Sequence, residues 1–277
     1  MHVVEANGAR IPALGLGTWE LRGAVAIRIV ETALAAGYRH IDTAQMYGNE
    51  REVGIALRAS GLPREEVFLV TKVWPDRFRR GDLERSVAES LERLGTDYVD
   101  LVLLHWPSRE VPLAETVAAL VAVRARGLAR HIGVSNFTVA LLEEAVRLAA
   151  PVPLVTDQVE YHPFLAQGRV LAACRRHGMA LTAYCPLARG RVLRNPVLQR
   201  IGRHYGKSPA QVALRWLVQQ EGVVAIPRSS RPEHVRRNFE IWDFHLTEAE
   251  MAEIAALASP SGRIVDLPDL APAWDEG

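Results

Sequence analysis

Eight short β-rich runs, each followed by a stretch with helical spacing, predict a (β/α)8 TIM barrel with an N-terminal β-hairpin and a C-terminal irregular tail. Two further observations agree. The alternation fills about 250 residues, the usual size of that fold, in a chain of 277. Polar residues also recur where the runs end, and such barrels carry their site at the C-terminal ends of the strands. A doubly wound open sheet shares the alternation. It usually places a glycine-rich phosphate turn after its first strand, and Gly15-Leu16-Gly17-Thr18-Trp19 lacks the third glycine. The barrel is preferred, as a single domain over residues 1–277.

Residues 2–13 read as two short strands joined by Asn7-Gly8, a dipeptide that tolerates positive φ at both turn positions. The barrel runs are Leu14–Thr18, Arg39–Asp42, Val67–Thr71, Val99–Leu104, Ala129–Val134, Leu154–Gln158, Ala180–Tyr184 and Val223–Ile226. Between them the spacing predicts helices over Gly23–Ala36, Glu50–Ala59, Asp82–Leu94, Leu113–Arg126, Val139–Ala149 and Gly168–His177. In the first of these Val25, Ile29, Ala33 and Ala36 share a face, as helical periodicity requires. Ser208-Pro209 opens a further helix through Gln219, and Thr247-Glu248-Ala249-Glu250 starts another before Met251–Leu257. Both openings are cap-like. Residues 259–277 are rich in Pro, Gly and Asp and predict an irregular tail.

Composition bounds the function. Hydrophobic residues make up 49% and charged residues 23%, and 33 Lys plus Arg against 32 Asp plus Glu leave a net charge of +1. That balance points to no nucleic-acid and no membrane surface. No apolar run nears the ~20 residues of a spanning helix. The start, M-H-V-V-E-A-N-G-A-R, has no signal-peptide pattern. Cys174 and Cys185 show no metal-ligand spacing, and they fit a reducing cytoplasm better than a disulfide framework. A cytoplasmic, monomeric protein with no metal is the expectation.

Chemistry concentrates at the run ends. Asp42 ends the second run, Thr71-Lys72 the third, His105-Trp106 the fourth, Ser135-Asn136 the fifth, Gln158 the sixth and Tyr184 the seventh. Tyr47 comes after Asp42 in a segment of loop composition. Alone, Asp42 also fits a helix cap, Tyr47 a half-buried surface residue and Asp42–Lys72 a structural pair. Asp, Lys, Tyr and His converging on one mouth are harder to assign to packing. A phenol with an ordinary pKa near 10 is a reluctant acid, and an ammonium beside it favours the phenolate. Lys72 is expected to lower the Tyr47 pKa, Asp42 to hold Lys72, and His105 to align a substrate carbonyl. Such a phenol suits protonation of an oxyanion as hydride reaches the adjoining carbon. Neither G-x-S-x-G nor a close carboxylate pair is present to support hydrolysis.

The chain resembles an aldo-keto reductase. The likeness rests on G-L-G-T-W (15–19), G-Y-R-H-I-D-T-A (37–44), Tyr47-Gly48-Asn49-Glu50, T-K-V-W (71–74) and L-L-H-W-P (103–107). It continues through G-V-S-N-F (133–137), D-Q-V-E-Y-H-P (157–163), A-Y-C-P-L (183–187) and I-P-R-S-S (226–230). L-A-P-A-W-D (270–275) resembles the bacterial branch that includes 2,5-diketo-D-gluconate reductases. The resemblance implies NADPH-dependent reduction of aldehydes or ketones, such as small dicarbonyls and keto-sugar acids.

It also implies roles. Tyr47 is the proton donor, with Asp42, Lys72 and His105 around it. Thr18 and Asp42 touch the cofactor, Ser135, Asn136 and Gln158 hold the carboxamide of the nicotinamide, and Tyr184 stacks on the ring. Cys185, Pro186 and Leu187 line the pyrophosphate path. Arg189 serves either the cofactor or an acidic substrate. Arg228, Ser229, Ser230 and His234 face the 2′-phosphate, and Asn238 the adenine. Trp19, Trp74 and Trp106 wall the substrate pocket with Tyr47 and His105. The family typically carries Lys where Arg228 stands and Arg where His234 stands. Histidine holds less charge than arginine at neutral pH, so NADPH is expected to be preferred by a reduced margin, with NADH usable. Short loops after the fourth and seventh runs imply a fairly open pocket. The alternative reading is a cofactor-binding regulatory subunit on the same barrel.

Overall fold

A computed structural model describes residues 2–275. The chain opens with an antiparallel hairpin, β1 (Val3–Ala6) and β2 (Ala9–Pro12). Its turn residues Asn7 and Gly8 have φ of 46° and 85°, as the dipeptide predicts. Eight parallel strands come next: β3 (Leu16–Gly17), β4 (His40–Asp42), β5 (Phe68–Val73), β6 (Val99–Leu104), β7 (Ala129–Ser135), β8 (Leu154–Glu160), β9 (Ala180–Tyr184) and β10 (Val223–Ala225). They pair in chain order. The ring closes where Leu14 bridges Ala225 in parallel and Gly17 N donates to Pro227 O.

The runs are strands because almost every residue in them is buried on both faces, which β-branched and aliphatic side chains tolerate best. β5, β6 and β8 have no exposed residue. Several boundaries differ from expectation, and β8 runs two residues further, to Glu160. Lys72 lies inside β5 rather than beyond it, because pairing with β6 continues to Val73↔Leu104. The first barrel strand is regular only over Leu16–Gly17. Gly15 before it and Gly17 within it lie close to neighbours: a Cβ on Gly15 would fall 2.7 Å from the His40 ring, and one on Gly17 2.8 Å from Ile226 O.

The outer layer holds α1 (Gly23–Ala35), α2 (Glu50–Ala59), α3 (Asp82–Leu94), α4 (Leu113–Ala125), α5 (Val139–Ala149), α6 (Gly168–Arg176) and α8 (Pro209–Val218). α7 (Pro196–Tyr205), α9 (Pro232–Phe239) and α10 (Glu248–Ala255) complete it. α7 and α9 are not among the helices read from the sequence. Ser208 and Thr247 cap their helices as expected, and each forms a capping box, Ser208 with Gln211 and Thr247 with Glu250. The hairpin lies under the strand starts, where Asn7 Nδ2 donates to Leu154 O at 2.7 Å and Pro12 O meets His40 Nδ1 at 3.1 Å. No helix of the described residues is long and apolar enough to cross a membrane.

α2 and α3 pack through a small-residue notch, where a Cβ on Gly54 would lie 2.1 Å from Leu94 O. Overpacking of this kind costs about 1–3 kcal/mol. Gly54→Ala should therefore lower the Tm by several degrees. An unchanged Tm in a thermal scan would contradict that close approach.

Candidate active site

The centre of the barrel mouth is a buried ion pair. Lys72 Nζ donates to Asp42 Oδ1 at 2.5 Å, to Thr43 O at 3.0 Å and to the Tyr47 hydroxyl at 3.3 Å. The Lys72 and Asp42 side chains are 0% and 1% exposed. Asp42 Oδ2 accepts from Gln158 Nε2 at 2.8 Å, across the barrel. All three ammonium donors and both carboxylate oxygens are thus engaged, which is the condition under which a buried pair is tolerated.

Tyr47 stands on a 3₁₀ turn, Gln45–Tyr47. Asn49 secures the far side of that turn by accepting from Thr43 Oγ1 and donating to Thr18 O and Leu21 O. Glu50 is bound by Thr71 Oγ1 at 2.5 Å and Arg93 Nε at 2.7 Å. These two supports lie within the Y-G-N-E motif, whose pattern alone does not reveal their role. The Tyr47 and His105 rings meet edge to face at 5.7 Å, and Trp74 meets His105 at 5.1 Å.

Electrostatics correct one expectation. Burial pushes the Tyr47 phenol above its ordinary pKa; Lys72 opposes this and Asp42 reinforces it. The neighbouring ammonium does not win, so the phenol holds its proton through neutral pH. Burial alone would lower the Lys72 pKa, but Asp42 and Tyr47 together raise it. His105 is held well below the ordinary histidine range by burial and then by Lys72, and it is neutral. Its Nδ1 is buried without a partner among the described residues. A protonated phenol beside an ammonium and a neutral imidazole can donate a proton to an oxyanion and align a carbonyl.

A second network adjoins the first. Ser135 Oγ donates to Gln158 O at 2.7 Å, Asn136 Nδ2 to His105 O at 2.9 Å, and the Tyr184 hydroxyl to Asn136 Oδ1 at 2.8 Å. Asn136 adopts φ 63°, a left-handed backbone that asparagine tolerates. Beyond Tyr184, Cys185 and Arg189 are left-handed too, at φ 53° and 51°. Pro186 is buried and Leu187 half-buried.

The remaining predicted residues lie in the segments that follow strands β3, β6 and β10 and on α9. Thr18 Oγ1 donates to Asp42 O at 2.9 Å. Trp19 is 40% exposed, and the Arg189 guanidinium lies 5.5 Å from its ring centre. Arg228 Nε donates to Trp19 O at 3.0 Å, and its Nη2 lies 3.4 Å from Glu20 Oε2. Ser229 Oγ accepts from Arg231 N at 3.1 Å, and Ser230 is exposed just before α9. His234 is exposed on α9 and Asn238 is buried there. Trp106 is buried and meets Trp274 of the tail at 6.1 Å. The open pocket expected from short loops is therefore partly covered by the tail.

The chain belongs to the aldo-keto reductases. The model of the aldo/keto reductase family matches residues 13–259. Methylglyoxal reductase DkgB of Escherichia coli O157:H7 is 42% identical over 96% of this chain and 99% of its own. A crystal structure provisionally named 2,5-diketo-D-gluconic acid reductase B is 53% identical, with a TM-score of 0.98, over 100% of this chain and 98% of the other. The aldo-keto reductase of Bombyx mori, solved with NADP, is 32% identical with a TM-score of 0.89, over 97% and 96%. The protein is an oxidoreductase acting on carbonyls.

One buried carboxyl stands apart. Asp157 points away from the barrel interior, is fully buried, and its Oδ2 has no partner among the described residues. Burial raises its pKa well above the carboxylate range, the Phe137 N–H opposes weakly, and Asp275 adds to the rise. The native state therefore binds this proton more tightly than the unfolded chain does. The associated stability is complete below the unfolded carboxylate pKa near 3.9 and is lost as pH climbs toward the folded value. Asp157→Asn removes the charge without changing shape. Its Tm relative to the parent should be higher at about pH 8 than at about pH 5. A difference that is constant across that range would refute this.

Proposed function

We propose that the protein reduces small aldehydes and ketones, dicarbonyls and keto-sugar acids among them, with NADPH as preferred reductant and NADH as a usable one. The carrying observation is the Tyr47 hydroxyl held 3.3 Å from a fully buried Lys72 ammonium. Tyr47 gives the proton to the carbonyl oxygen. Lys72 stabilises the phenolate left behind, Asp42 keeps Lys72 charged and in place, and neutral His105 orients the carbonyl. Trp19, Trp74 and Trp106 form the apolar walls with Tyr47 and His105.

The donor set fits a nicotinamide cofactor. Ser135, Asn136 and Gln158 offer paired amide and hydroxyl groups for a carboxamide beside Asp42 and Thr18, and Tyr184 provides a flat ring. Cys185, Pro186, Leu187 and Arg189 form the path toward the pyrophosphate. Arg228, Ser229 and Ser230 ahead of α9 and His234 in its first turn offer cationic and hydroxyl groups for a 2′-phosphate, and Asn238 serves the adenine. When bound, that cofactor supplies the hydride. The relatives named for methylglyoxal and 2,5-diketo-D-gluconate reduction support the substrate class. The chain works as one monomeric cytoplasmic domain in this reading.

Oxidation of NADPH with methylglyoxal tests the reading, and no turnover with several carbonyls at saturating cofactor would overturn it. Tyr47→Phe should abolish turnover and leave the Kd for NADPH within about twofold. Because burial holds the phenol protonated, reduction should stay flat from about pH 6 to 9. Alcohol oxidation, which needs the phenolate, should rise over the same range. Near-parent turnover by the variant, or reduction falling through pH 7–8, contradicts the assignment.

The cofactor margin has its own test. A charge-assisted hydrogen bond is worth about 1.5–3 kcal/mol, so restoring one at position 234 should matter. His234→Arg should tighten NADPH relative to NADH by about tenfold at pH 7.5. Equal Kd ratios in parent and variant would remove residue 234 from the phosphate site.

A further inference from the structure

Glu160 is a buried carboxylate that the proton-transfer site does not use. It ends β8, two residues after Gln158. Side chains alternate along a strand, so Glu160 faces the same side as Gln158, one layer nearer the mouth. It is 0% exposed. Its tail partners lie about a hundred residues further along the chain. Glu160 Oε1 accepts from Ile264 N and Oε2 from Val265 N, each at 2.8 Å. His162 Nε2 reaches Oε1 at 2.9 Å, and Arg263 Nη1 lies 4.0 Å from Oε2.

The tail continues from that anchor to the candidate site. The Arg263 guanidinium stands over the Trp274 ring at 3.7 Å. Trp274 Nε1 donates to Asp266 Oδ1 at 3.0 Å, and its ring meets Trp106, the residue after His105. Arg109 Nη2 holds Ala271 O at 2.9 Å, and Asp275 accepts from Val139 N at 2.8 Å. Just before the anchor, Gly262 touches the chain so closely that a Cβ there would lie 1.7 Å from Phe164 O. The segment is thus clamped at both ends, and Glu160 is the buried carboxylate that binds its backbone N–H groups.

We propose that Glu160 is a positioning residue for substrate selection: by fixing residues 263–265 it sets Trp274 against Trp106 and so closes the carbonyl side of the mouth. This rests on the reductase reading above. A carboxylate is suited to the task because it accepts on both oxygens, and charge-assisted bonds to backbone N–H groups are roughly twice as strong as neutral ones. Glutamine has the same shape but one acceptor. Its NH2 would face an N–H of the tail, leaving a donor unpaired. Glu160 touches neither Tyr47 nor Lys72 through any hydrogen bond of the described residues, so its loss should leave the chemical step intact.

The test is a double-mutant cycle on the full chain with Glu160→Gln, Trp274→Ala and both together, using the bulkiest carbonyl the parent reduces. Glu160→Gln should raise KM about tenfold, the scale of one charge-assisted hydrogen bond. The kcat and the Kd for NADPH should stay within about twofold. The double variant should be no worse than the poorer single one, because both changes open the same wall. An unchanged KM, a fallen kcat at constant KM, or multiplying effects would overturn the proposal.

Amide exchange gives a second arm that needs no turnover. The Ile264 and Val265 amides should exchange slowly in the parent and at least about tenfold faster in Glu160→Gln, with the β8 amides unchanged. Equal rates in the two proteins, or fast exchange in the parent, would show that Glu160 does not hold the tail. A parent that reduces no carbonyl, yet shows the expected exchange, would instead sink the reductase reading together with the selection role and leave only the anchor.

Discussion

The buried contact between Lys72 and Asp42 constrains most of the structure around it. Taking each ion out of water costs several kcal/mol, and the pair survives because every donor and acceptor on it is engaged. That requirement fixes the alignment of β4 with β5, brings Gln158 across the barrel, and draws Thr43 and Tyr47 inward. The same requirement makes the mouth polar at its centre. Removing either partner would leave an uncompensated charge at a fully buried position.

Strand alternation then sorts the remaining groups. Lys72 faces inward while its neighbour Thr71 faces α2 and binds Glu50. Gln158 and Glu160 face inward while Asp157 faces the helical layer. A shift of one residue in β8 would send the amide and the tail anchor into the helices and bring a lone carboxyl into the mouth. The polar groups of the candidate site and those of the helical layer are therefore specified together, by the same two-residue period.

Much of this was legible from the chain itself. Apolar runs located the strands to within about two residues, because nearly all their side chains are buried. Asp42, Lys72, His105, Ser135, Asn136 and Gln158 stood out as polar residues at the ends of such runs. α7 and α9 were missed because P-V-L-Q-R-I-G-R-H-Y and P-E-H-V-R-R-N-F hide a few apolar positions among arginines; Asn195-Pro196 was the available signal. The Tyr47 phenol was misjudged because a neighbouring ammonium is visible in sequence and the depth of burial is not. Glu160 escaped notice because its tail partners are backbone N–H groups 104 and 105 residues away. Alternation from Gln158 would have pointed it inward, had the strand been extended two residues.

The hairpin beneath the barrel has a practical side. It meets the strand starts through Asn7 and Pro12, at the end opposite Tyr47, and the tail that covers Trp106 belongs to the other terminus. A support or fusion joined at the hairpin end would face the closed floor and leave the mouth toward solution. The same attachment at the tail would pull on the segment that packs against Trp106. The two ends of this chain are therefore unequal handles for immobilisation.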